Sequence, residues 1–72
     1  MSSQKIDSWS KQRADGRIVE YLFFTLFQAQ GKTKSWAAAR VAGVALNPIQ
    51  DLAKDLTRAQ VEALFEASIN AS

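Results

Sequence analysis

The 72-residue chain contains no cysteine and no histidine. Without cysteine there is no disulfide framework and no thiolate zinc site, and without histidine the commonest general base and metal ligand is missing as well. No sign of charge dominates either: nine Lys and Arg stand against seven Asp and Glu, for a net charge of +2, a mild bias rather than a polybasic one. The longest apolar run, residues 18–27, is interrupted by Glu20 and is too short to cross a bilayer as a helix. It also begins late and lacks a small-residue cleavage site, which argues against a secretory signal. No membrane association is expected, and a reducing cytoplasm is the expected compartment. Residues 31–33 spell Gly-Lys-Thr, the end of a phosphate-binding loop. That motif requires a glycine five positions earlier, where Leu26 stands, so nucleotide binding is excluded.

What is present reads as helices. A chain of this length forms one domain and buries roughly 60% of its unfolded surface, so its core is small. Residues 1–10 are polar and serine-rich, with Ile6 and Trp9 as exceptions, and lack a sustained apolar period. They are expected to form a flexible arm, with residues 11–70 as the single helical domain. From Asp15 the chain enters its most hydrophobic segment, in which Ile18, Leu22 and Leu26 share one helical face, flanked by Val19, Phe23 and further aromatics. β-branched and aromatic residues also permit a strand, but length and the absence of clean alternation favour a central core helix. Farther on, Asn47 and Pro48 suit the start of a helix, and Thr57 with Gln60 three residues later makes a capping box for the last one. Val61, Leu64, Phe65 and Ile69 form its apolar stripe, and Glu62 and Glu66 lie on its wet face. The expectation is an all-α domain of four helices, at about residues 12–30, 34–42, 48–55 and 57–69.

Residues 35–54, SWAAARVAGVALNPIQDLAK, set the functional expectation. Ala39 is small where two helices must touch, Gly43 follows four residues later at the turn, and Val44, Ile49 and Leu52 anchor the turn and the second helix. This stretch resembles the helix-turn-helix of DNA-binding proteins. The resemblance covers about a third of the chain and carries no family-specific signature; an ordinary helical hairpin fits the same residues. It implies a small DNA-binding protein, a transcriptional regulator or mobile-element accessory factor, with double-stranded DNA as partner. Lys32, Lys34 and Arg40 would contact phosphates, while Asn47, Gln50 and Lys54 would face bases. Asp51 and Asp55 count against DNA readout by that helix, because phosphate repels carboxylates.

The competing expectation is a helical protein-binding adaptor or inhibitor without nucleic acid, using Trp9, Asp51 and Asp55. The uneven charge fits both. Residues 1–50 carry seven basic and three acidic side chains, and the remainder carries two and four. A homodimer contact is a further expectation. No nucleophile-and-base set, phosphate loop or metal-ligand set can be assembled from these residues, so neither enzyme activity nor a metal or cofactor is expected.

Overall fold

The structure is a computed structural model that describes residues 3–27 and 33–71. It is not all-α. Four strands, β1 (Ser3–Gln12), β2 (Ile18–Phe27), β3 (Thr33–Val41) and β4 (Val44–Ala45), form one antiparallel sheet in the order β1-β2-β3-β4. The single helix among the described residues, α1 (Arg58–Ala71), follows. The expected all-α class, the four-helix count and the flexible N-terminal arm are therefore overturned: residues 3–12 are a strand paired along its whole length with β2.

The segment expected to be the core helix is the central strand β2, and the reason is visible in its burial. Val19, Tyr21 and Phe23 are buried in the core cluster with α1 and Thr25 is buried on the same face, while Ile18, Glu20, Leu22, Phe24 and Leu26 point to the other face. Successive side chains of a strand alternate between faces. Here both faces are mostly apolar, so the period of two is hidden, and a strand apolar on both sides imitates a helix apolar all round. The decisive local signal is Asp15-Gly16. Arg13 and Gly16 close a short turn (Gly16 N–H to Arg13 O, 2.9 Å; Arg13 N–H to Arg17 O, 2.8 Å), and Gly16 sits at φ 89°, the left-handed position that a three-residue hairpin loop requires. The Asp15 carboxylate fixes the loop by accepting from the Arg17 backbone N–H at 3.0 Å and the Arg17 Nε at 2.8 Å. Both hydrogen bonds hold its pKa below the ordinary carboxylate range.

The alanine-rich segment behaves likewise. Ala37 and Ala39 of β3 are buried in the core cluster, where their small side chains let α1 approach the sheet closely. Alanine's helix preference is outweighed by pairing with β2 along residues 33–41. Ala42 and Gly43, at φ 49° and 85°, form the two-residue connection between the paired Val41 and Val44. Two consecutive positive φ values mark the mirror-image hairpin turn whose twist suits adjoining strands. Gly43 thus ends a strand rather than a helix, and no helix-turn-helix exists in residues 35–54.

The helix expected at 48–55 is also absent. Residues 46–57 run back along the outer edge of β3, bonded to it by Leu46 N–H to Ala39 O (2.9 Å), a reciprocal Ala37–Ile49 bridge (2.9 Å each way) and Leu52 N–H to Ser35 O (3.1 Å). Backbone groups spent on the sheet edge cannot close helical bonds four residues back. Leu46, Ile49, Leu52 and Leu56 pack partly buried on the core from this segment.

Only the last helix stands where the sequence places it. The Thr57 hydroxyl accepts from the Gln60 N–H at 3.2 Å, and the Gln60 side chain accepts from the Thr57 N–H at 2.8 Å, a complete capping box. Val61, Phe65 and Ile69 are fully buried against the sheet, at about 1.5–3 kcal/mol apiece by transfer from water.

Candidate interaction surface

The sheet has two faces with different fates. On the covered face, α1 is joined to β1 and the first hairpin by a polar seam. From Arg58 to Glu66 the helix advances about 12 Å, while from Asp7 to Arg13 the chain advances about 20 Å, so long side chains at both ends span the difference. Arg58 pairs with Asp7 at 2.7 and 3.0 Å, and its guanidinium lies 5.0 Å from the Trp9 ring centre. Glu62 accepts from the Trp9 ring N–H at 2.9 Å and from Lys11 at 3.1 Å. Arg13 reaches Glu66 at 3.1 Å and Asn70 at 2.7 Å. Trp9 is stacked on Tyr21 at 5.3 Å, and Tyr21 in turn packs against Phe65.

The titrations follow this geometry. The Arg58 hydrogen bonds hold Asp7 below its ordinary value, and Arg13 does the same for Glu66. For Glu62, burial pushes upward, but the hydrogen bonds from Lys11 and Trp9 outweigh it and leave the pKa lowered. Burial raises the Tyr21 phenol.

Among the described residues, no helix covers the second face. Register places its side chains in cross-strand rows: Ile6–Phe24–Trp36 in the middle, Ser8–Leu22–Ala38 on one side and Gln4–Leu26–Lys34 on the other, with Ser10–Glu20–Arg40 beyond. Phe24 and Trp36 stack at 4.7 Å with planes 15° apart. Ile6 and Ile18 remain 61% and 53% exposed. Charge is confined to the ends of the face, with Lys34 at one and the Glu20–Arg40 pair, 4.0 Å apart, at the other. Beside that pair, Ser8, Ser10, Leu22, Ala38 and Ala45 line an open groove of about 580 Å³. The result is an apolar, aromatic-centred strip with a polar margin.

The residues singled out from sequence do not converge. Lys32 lies outside the described residues. Lys34 and Arg40 are exposed on the open face of β3, in separate rows. Asn47, Gln50 and Lys54 are exposed on the irregular segment beyond β3, and there is no recognition helix to aim them. Asp51, at φ 59°, and Asp55 are exposed on the same segment. Trp9 is half-buried in the seam with its ring N–H committed to Glu62. Sequence reasoning missed Ile6, Leu22, Phe24, Leu26 and Trp36 as one surface, having assigned the central aromatics to the core. For Leu22, Phe24 and Leu26 the signal was the period of two in residues 18–27, read on both faces at once; Ile6 and Trp36 join them only through the register of the sheet.

Among the described residues no group of acidic side chains is arranged to hold a metal ion, and no helix is long and apolar enough to cross a membrane. No protein-family model matches the chain, and neither the curated proteins nor the solved structures provide a match.

Proposed function

We propose that this chain is a small protein-binding domain whose open sheet face is the contact surface, working in the cytoplasm. The observation that carries the reading is the Ile6–Phe24–Trp36 row with Leu22 and Leu26 beside it, left uncovered while the opposite face is buried by α1. An apolar centre rich in aromatics, depleted of charge and rimmed by polar groups is the composition of a protein interface core. The basic side chains support the same reading. Lys11, Arg13 and Arg58 are engaged with carboxylates in the seam, Arg17 binds Asp15, and Arg40 stands beside Glu20. A phosphate-tracking surface would instead present such side chains unopposed.

The test is capture from nuclease-treated lysate of the source cells by wild type, Trp36→Ser and Lys54→Ala. A stoichiometric protein retained by wild type and Lys54→Ala, and lost with Trp36→Ser, is the expected result. Equal recovery by all three overturns the surface assignment. Material captured from untreated lysate but absent after nuclease treatment overturns the protein-binding reading.

A further inference from the structure

The two edges of the sheet are treated differently. Along β3, the outward backbone groups of Ser35, Ala37 and Ala39 are taken up by residues 46–52. Along β1, nothing among the described residues covers the edge, and β1 is ten residues long with unbroken register and no proline. Long, regular edge strands are normally blunted, because they are templates for another strand.

The hairpin fixes which groups are available. Arg13 bonds with Arg17, and antiparallel pairs alternate between bonded and non-bonded. Odd-numbered residues of β1 therefore bond to β2, and the N–H and C=O of Gln4, Ile6, Ser8 and Ser10 point outward.

From this edge the geometry points to a second copy of the chain as the occupant, with β1 pairing antiparallel to its symmetry mate about an axis at Ile6. A two-fold pairing must match outward residues with outward residues, so its centre falls at a β1 residue. Centring on Asp7 opposes two carboxylates, centring on Ser8 opposes Lys5 to Lys11, and centring on Trp9 forces together two indoles already committed to the seam. Centring on Ile6 sets Lys5 opposite Asp7 twice, at the closely spaced non-bonded positions, and Gln4 opposite Ser8. It also buries Ile6, the more exposed isoleucine of the open face, against its own copy. The central row then runs Trp36–Phe24–Ile6 from one copy into Ile6–Phe24–Trp36 of the next, and both helices lie on the same side of the joined sheet. The pairing stands whether or not a protein docks on the open face.

The test is sedimentation equilibrium over a concentration range reaching the millimolar, for wild type, Ser8→Pro, Ser10→Pro and Trp36→Ser, with circular dichroism to establish folding. A proline at either serine removes only an outward N–H and spares the ladder to β2. Ser8 lies two residues from the axis and Ser10 four. Wild type and Trp36→Ser are expected to dimerise alike, and Ser8→Pro is expected to weaken the dimer about tenfold or more, and further than Ser10→Pro does, by losing a hydrogen bond in each half. A wild-type monomer throughout overturns the proposal, as does a dimer indifferent to Ser8→Pro. Loss with Trp36→Ser alone moves the contact to the open face and overturns it too, while leaving the protein-binding surface in place. Should Ser8→Pro fail to fold, amide exchange on wild type decides. The amides of Gln4, Ile6 and Ser8 must slow as concentration rises, and by more than that of Gln12, six residues from the axis; uniform exchange along the edge defeats the pairing.

Discussion

Thr25 and Ser35 are the only buried polar side chains among the described residues, and they solve each other's problem. Paired across β2 and β3, their hydroxyls lie 2.9 Å apart, each almost fully buried. An unmatched buried hydroxyl loses its water without replacement, whereas removing both members of a pair removes the demand for a partner. Thr25→Val is therefore expected to lower unfolding free energy by about 1–3 kcal/mol. The double variant Thr25→Val with Ser35→Ala should recover most of that loss. Urea denaturation of the two proteins checks this; a double variant less stable than the single one would show that the hydroxyls contribute more as a pair than they cost by burial. Neither residue has any sign of this role in the sequence, because the two come together only through the register of β2 with β3.

At the scale of elements, the junction of α1 with β1 is the feature most sensitive to solution conditions. Asp7, Glu62 and Glu66 are all held below their ordinary pKa by the cations and donors of the seam, and Asp15 is lowered by Arg17. A depressed folded-state pKa means that the unfolded chain binds protons more readily. The stabilisation is thus complete above the unfolded value, about 4 for carboxylates, and is lost as pH falls through the folded values. The denaturation midpoint is expected to be level between about pH 8 and pH 5.5 and to drop below about pH 4.5. Because these pairs are solvent-exposed, high salt should lower the neutral-pH plateau and flatten the drop. Replacing Glu66 with Gln should remove part of the acid sensitivity; a drop of unchanged size would place its origin outside the seam.

The same junction explains why the N-terminal strand escaped detection. Its two large apolar side chains, Ile6 and Trp9, point to opposite faces, so no apolar alternation is written into residues 3–12. Its polar odd-numbered residues acquire meaning only from α1, about fifty positions later. The C-terminal helix was legible for the opposite reason: its cap and its stripe are both local, and Thr57 with Gln60 forms the bonds that the spacing implies.

For the whole molecule, the meaning of the basic residues is decided by where their neighbours lie. Nine Lys and Arg in 72 residues look like a modest phosphate-binding endowment. In the folded chain, several of them are opposed by carboxylates from the seam and the first hairpin. Fluorescence anisotropy with a random-sequence duplex is expected to show no binding at physiological salt. A log–log salt slope of several units would mean several neutralised phosphates, at about −0.9 each, and would count against the protein-binding reading. The open-face residues Ile6, Phe24 and Trp36, by contrast, are neutral and belong to three different strands, so no linear stretch advertises them.

What the sequence determines by itself is what depends on neighbours along the chain. That includes the absence of thiol and imidazole chemistry, the capped last helix, and the turn at Gly43, though not the elements that the turn joins. What only the tertiary structure decides is the state of the long apolar stretches. Residues 18–27 can satisfy their backbone either within a helix or between two strands, and their side chains suit both. The choice falls to the sheet because β1 and β3 pair with β2 on either side and α1 covers one face. Those partners are distant in sequence, and with them comes the surface that remains uncovered.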